Sequence, residues 1–227
     1  KAINVLKQIK TPERCLDLAF PDRYSFAVIN ISKYFQMSNK EKINLSKKFF
    51  YDSMLSDQLA CNSPHCVVWV GKTNYQIQKL FWRYVEKNII EKYRFDNYKS
   101  IEKYSHFLKA TINGSVNRLF FNSDCLKVIN LKDSEKDLEN YRGIYGFFYQ
   151  TNIDKIDDLK KFVKKKYQSI VSFGFAKNNY CNLINNNNLV GIDRVVSFGQ
   201  AMRFDFNWDG YDLINSLSRI VEIDEKI

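Results

Sequence analysis

Apolar residues along this chain fall into short blocks whose spacing switches between that of a helix face and that of a buried strand. Ser38-Asn39-Lys40-Glu41 has the form of a capping box, and Ile43, Leu45, Phe49, Phe50 and Met54 continue from it at helical spacing. That helix is expected to stop near Gln58. After a loop, Cys66-Val67-Val68-Trp69-Val70 reads as a buried strand closed by Gly71. Ile77, Leu80, Phe81, Tyr84, Val85 and Ile89 predict a helix over 74–93, and a second amphipathic helix is expected over 100–112. Short strands are expected at 118–121, 126–130 and 144–149. A helix over 154–167, strands at 169–173 and 194–198, and a closing helix over 211–221 complete the pattern. Strands alternating with helices predict an α/β fold, with a mixed or largely parallel sheet flanked by helices and right-handed crossovers.

A chain of 227 residues is long enough for one substantial core, or for one domain and part of another. Hydrophobic residues make up 45% and charged residues 26%, as in ordinary globular domains. No stretch approaches the roughly 20 apolar residues that span a bilayer. The first ten residues hold no apolar run followed by a small-residue cleavage site, so a cytoplasmic location is expected. The first residue is not Met, and the chain is expected to be a fragment or a processed product.

The net charge of +10 raises the question of a nucleic-acid partner. Lysines are spread throughout, beside many Asn, Ile, Tyr and Phe, and residues 185–188 are all Asn. That fits a compositional bias at least as well as a selected face, so nucleic acid is the less favoured reading. The densest group is Lys160, Lys161, Lys164, Lys165 and Lys166, interleaved with Phe162 and Val163. It reads as the solvated side of a helix, and would also attract a phosphate-rich ligand such as coenzyme A or a dinucleotide. The five cysteines are odd in number and irregular in spacing, which argues against a disulfide framework. Cys61, His65 and Cys66 lie close together, but no second cluster completes four ligands, and no metal is expected.

The segment with chemical content is Asp57-Gln58-Leu59-Ala60-Cys61-Asn62-Ser63-Pro64-His65. It lies between a helix end and a strand, where rigid elements can hold a loop side chain in a cleft. A thiolate there is a candidate nucleophile, and nearby backbone N–H groups could hold an oxyanion. Free cysteines are as commonly small buried hydrophobes, so the residues alone leave both readings open. Gln58 is a candidate brace of the loop. His65 is either a base or orienting group for Cys61 or a packed neighbour. Cys66 is expected to be inert core, and His106 structural.

The same segment resembles the nucleophile loop of the LuxC family of acyl-CoA or acyl-protein reductases, a branch of the aldehyde dehydrogenase superfamily. Phe20-Pro21-Asp22-Arg23-Tyr24-Ser25 is similar to a family segment that closes the cofactor domain. Arg194-Val195-Val196-Ser197-Phe198-Gly199 and Trp208-Asp209-Gly210-Tyr211-Asp212-Leu213-Ile214 resemble its C-terminal signature, and Lys165-Lys166-Tyr167-Gln168-Ser169 matches more weakly. The resemblance implies an aldehyde-dehydrogenase-like catalytic domain over 34–227, preceded by the end of a cofactor domain over 1–33. It implies that Cys61 takes a fatty acyl group from coenzyme A or an acyl-carrying protein partner. NADPH then reduces the thioester to a fatty aldehyde, for luminescence or lipid metabolism. The backbone N–H of Cys61 would be one oxyanion donor. Hydrolytic relatives use a Glu to activate water; Leu16-Asp17-Leu18-Ala19-Phe20, in the corresponding region, has none, and acyl exchange with a thiol needs none.

Family members run to roughly twice this length, in line with two ordinary domains. No Gly-x-Gly-x-x-Gly fingerprint occurs, and the glycines are isolated apart from Gly143 and Gly146. The NADPH-binding domain is therefore expected to lie largely outside this chain, and the chain alone is not expected to complete turnover. A homo-oligomer is expected. The competing readings are a cysteine-dependent acyltransferase or hydrolase without nicotinamide, and a basic binding module without chemistry.

Overall fold

The computed structural model describes residues 2–112, 116–132 and 137–224. Residues 23–202 form one compact unit, and residues 2–22 with 203–224 form another.

The larger unit is built on a seven-stranded sheet of order β3-β4-β5-β2-β1-β6-β7. Its strands are β1 (Tyr24–Asn30), β2 (Pro64–Val70), β3 (Val116–Asn122), β4 (Lys127–Leu131), β5 (Phe147–Ile153), β6 (Tyr167–Phe173) and β7 (Arg194–Ser197). All neighbours pair in parallel except the edge strand β3, which is antiparallel to β4. This is the expected α/β architecture. The helices are α2 (Ile31–Gln36), α3 (Asn39–Met54), α4 (Tyr75–Lys92), α5 (Asn97–Ile112) and α6 (Lys177–Asn186). In the smaller unit, α1 (Ala2–Leu6), the hairpin β8 (Asn207–Trp208) and β9 (Tyr211–Asp212), and α7 (Leu213–Leu217) are short.

Both faces of the central strands are buried, as parallel sheets require. Ala27, Ile29, Val67 and Trp69 face a layer that includes Phe49, Phe81, Trp82 and Val85 from α3 and α4. Phe26, Val28, Cys66 and Val68 face the opposite layer, with Leu159, Phe162, Tyr180 and Leu183. Burial at about 25 cal/mol per Å² of apolar surface makes these two layers the main source of stability.

The sequence reading misses β1, a central strand, because its continuous apolar run, Phe26-Ala27-Val28-Ile29, is only four residues long between polar Ser25 and Asn30. It also misses α6, whose Asn-rich stretch hides buried Tyr180 and Leu183. The helix expected over 154–167 is a short 3₁₀ segment, Ile156–Lys161. These residues link β5 to β6 and must pass β2 and β1 sideways, a step of roughly 14 Å at three strand spacings. A helix over the whole segment would leave no chain for that step. The helix expected over 211–221 is reduced to α7. Asp209 (φ 52°) and Gly210 (φ 79°) form a two-residue hairpin turn that takes Tyr211 and Asp212 into β9.

Candidate functional site

The Ser38 capping box that opens α3 is present, with the Ser38 N–H donating to Glu41 at 2.8 Å. Asp57 (φ 57°) and Gln58 (φ 63°) then take left-handed backbone conformations, which costs on the order of 1–2 kcal/mol per residue outside glycine. They turn the chain from α3 into the loop that carries Cys61. Pro64, the first residue of β2, pairs with Ser25 near the start of β1, so Cys61 lies at the amino-terminal edge of the parallel sheet.

Side chains hold this strained turn from several directions. Gln58 is fully buried; its Oε1 accepts from the Gly146 N–H at 2.9 Å and its Nε2 donates to the Phe147 carbonyl at 3.0 Å. Gly143 lies against the same spot: a Cβ there would come within 1.6 Å of the Phe147 carbonyl oxygen. Asp57 accepts from the Tyr93 hydroxyl and from Lys99 Nζ at 3.0 Å. Burial, then the hydrogen bond to Asp57, raises the Tyr93 phenol far above its ordinary range, so that hydroxyl stays a donor.

Cys61 is half-buried. Its carbonyl accepts from Ser25 Oγ at 2.6 Å, and Ser25 Oγ in turn accepts from the Ser169 N–H at 3.2 Å. The register of β1 slips on both sides at this point, between Ser25 and Ala27 against β2 and between Tyr24 and Phe26 against β6. An irregularity of this kind lets an edge-of-sheet side chain reach a loop. On the other flank Asn62 Nδ2 donates to the Ala201 carbonyl at 2.7 Å, and the Ser56 and Ser63 hydroxyls meet at 3.0 Å.

His65 is buried, stacked on Tyr24 at 5.5 Å, with Nδ1 at 3.0 Å from the Gly143 carbonyl. A carbonyl only accepts, so Nδ1 carries the proton. Cys66 is wholly buried one strand position later, and burial pushes its thiol far above the ordinary value. His106 is half-buried on α5 and its pKa is lowered, chiefly by burial. Lys160, Lys161, Lys164, Lys165 and Lys166 are exposed, while Phe162 and Val163 are buried.

Ser25, Asn62 and Gly143 also hold the loop, and sequence reasoning gave none of them a role. The one available signal was the pair Gly143 and Gly146, which are the only clustered glycines and sit where Gln58 meets the backbone.

The starts of α2, α3, α4 and α5 do not fit a dinucleotide, whereas α6, which follows Gly174, has no side-chain cap. A pyrophosphate cradle needs backbone N–H groups open at a helix start after a glycine-rich turn. Here the N–H groups of Lys33, Ile77 and Lys99 are taken by Asn30, Asn74 and Asp96 at 3.1, 3.2 and 2.7 Å, and that of Glu41 by Ser38. Two of these helix starts also carry a carboxylate, Glu41 or Asp96, that would repel phosphate. Among the described residues no group of three or more His, Cys, Asp or Glu could hold a metal ion, and no helix is long and apolar enough to cross a membrane.

No protein-family model matches the chain, and no curated protein sequence matches it. Solved structures do. One is a succinic semialdehyde dehydrogenase from Streptococcus pyogenes in complex with NADP+, with a TM-score of 0.51 and 8% identity over 78% of this chain and 40% of that one. Another is a protein from Sinorhizobium meliloti 1021, assigned as methylmalonate-semialdehyde dehydrogenase and complexed with NAD. Its TM-score is 0.50, with 10% identity over 78% of this chain and 39% of that one. The chain thus spans about 40% of the length of the structures it matches. Its mostly parallel sheet and flanking helices have the fold of the corresponding part of these aldehyde dehydrogenases.

Proposed function

We propose that this chain carries the acyl-accepting half of an aldehyde-forming oxidoreductase, with Cys61 as the nucleophile and a fatty acyl thioester of coenzyme A or of an acyl-carrying protein as donor. One observation carries the reading. Cys61 is half-buried at the end of a strained turn whose two flanks are fixed by buried side-chain hydrogen bonds. Strain retained in this way marks a loop whose geometry matters more than its stability. The LuxC-like segments and the aldehyde dehydrogenase fold support the same assignment.

The Cys61 thiolate would attack the donor thioester carbonyl. The tetrahedral adduct would collapse by expelling the donor's thiolate, which takes up the proton Cys61 lost, and the acyl group remains as a Cys61 thioester. The Cys61 N–H is the natural donor to the oxyanion, and the Ser25 bond to the Cys61 carbonyl would fix the backbone that presents it. His65, held by Gly143 and Tyr24, would shape the wall behind the loop. Reduction of the thioester to an aldehyde needs a hydride donor such as NADPH. We assign that step to the nicotinamide cofactor of the whole enzyme, and the acyl transfer to Cys61 is the part this chain's own residues carry.

Incubation with a long-chain acyl-CoA followed by peptide mass spectrometry tests this. We expect a hydroxylamine-labile adduct that is lost in Cys61→Ala and kept in Cys66→Ala. Absence of any Cys61 adduct would refute the assignment. Supplying a cofactor domain and NADPH then separates an aldehyde-forming enzyme from an acyltransferase or hydrolase, which would release no aldehyde.

A further inference from the structure

We propose that Asp52 is a positioning residue for Cys61, acting through the turn at 199–202 and Asn62; this rests on the reading of Cys61 as the acyl-accepting thiol. Asp52 lies in the last turn of α3 and is 1% exposed. Its Oδ2 accepts from the Gly199 N–H at 2.6 Å and its Oδ1 from the Ala201 N–H at 2.9 Å. The carbonyl of the same Ala201 accepts from Asn62 Nδ2 at 2.7 Å and from Arg194 Nη1 at 3.2 Å. Ala201 is thus held at its N–H by Asp52 and at its carbonyl by the residue that follows Cys61. Ser63 Oγ reaches Met202 Sδ at 3.9 Å, so two successive residues after Cys61 are tied to the turn. Gly199 has φ +85°, and a Cβ there would sit 3.1 Å from Lys48 Cγ, so α3 and the turn are in close contact at this point.

The chemistry of Asp52 sets this clamp apart from ordinary core packing. Burial raises its pKa to about 6, against the opposing pull of the two N–H donors and of Lys48 on its own helix. From β7 the charged group at the clamp is Arg194, through the Ala201 carbonyl. A carboxylate whose ionised form is disfavoured by its surroundings contributes little to stability at neutral pH, yet only a carboxylate offers two acceptor oxygens and no donor to a pair of N–H groups. Asparagine at this place would satisfy one N–H and set its own NH₂ against the other; that loss is offset by removal of the buried charge, so the clamp is lost without a net cost in stability.

The test uses the full 227-residue chain and reads Cys61 by peptide mass spectrometry, both for acylation by a long-chain acyl-CoA and for alkylation by iodoacetamide. We expect Asp52→Asn and Asn62→Ala each to slow Cys61 acylation about tenfold, the double variant to be no slower than the slower single one, and Tm at pH 7.5 not to fall in Asp52→Asn. Rates within twofold of wild type in both single variants would overturn the proposal. So would multiplying effects in the double variant, or a fall of Tm in Asp52→Asn in step with the rate. If wild-type Cys61 takes no acyl group, the functional reading fails by itself; the clamp is then judged on the alkylation rates, where the same three outcomes apply.

Discussion

Replacing Gln58 by Ala tests the hydrogen-bonded support of the Cys61 turn most directly. The substitution keeps the left-handed backbone strain, because alanine gains nothing from φ 63°, and removes both side-chain contacts. The Gly146 N–H loses its acceptor at 2.9 Å and the Phe147 carbonyl loses a donor at 3.0 Å, in a place where Gln58 has no exposure to water. A buried polar group deprived of its partner costs about 1–3 kcal/mol, so the two together cost roughly 2–6 kcal/mol. Against a total of about 5–15 kcal/mol for an ordinary domain, that is a large fraction. Urea unfolding at 25 °C, followed by circular dichroism, would measure it as a drop in midpoint at unchanged slope. Gln58→Glu sharpens the test. Its carboxylate can still accept from Gly146 but meets the Phe147 carbonyl without a proton, so the neutral form is favoured and its folded pKa lies above the unfolded one. The stability of that variant should therefore be greatest at low pH and be lost as pH rises through the folded value. A cost under about 1 kcal/mol for Gln58→Ala, or no pH dependence in Gln58→Glu, would refute the assigned role of this side chain.

Two further predictions follow from buried polar groups. Gln150 accepts from Trp69 Nε1 and Trp82 Nε1 at 3.0 and 2.7 Å and donates to Gln78 and Asn130 at 3.3 and 3.2 Å. Gln150→Leu strands all four and should cost more than about 3 kcal/mol in urea unfolding, with altered tryptophan emission; a loss under about 1 kcal/mol would show the network to be replaceable. Asp52 titrates near 6 when folded and near its ordinary 3.8 when unfolded, so its favourable contribution is complete below pH 4 and lost as pH rises through 6. Wild type should then gain up to about 3 kcal/mol relative to Asp52→Asn on going from pH 7.5 to pH 4, at 1.36 kcal/mol per unit; parallel pH curves for the two proteins would exclude this.

Elements that depend on local chemistry are legible in the chain alone. The capping box at Ser38, the apolar spacing over 74–93 and the run into Gly71 predict α3, α4 and β2 to within a few residues, because caps, periodicity and β-branched runs act through neighbouring residues. The place of Cys61 between a helix end and a strand is a local fact of the same kind. Other features arise only from contacts between distant segments. β1 is a strand because β2 and β6 flank it, and the segment after β5 fails to become a helix because it must cross two strands. The surroundings of Cys61 come from residues 36 positions before it (Ser25) and about 140 after it (Asn62 to Ala201). Asp52 shows the difference most clearly. In the sequence it is one acidic residue on a helix; in the fold it is a buried carboxylate facing two N–H groups, because only chain packing could bring Gly199 and Ala201 to that helix and exclude the water around it.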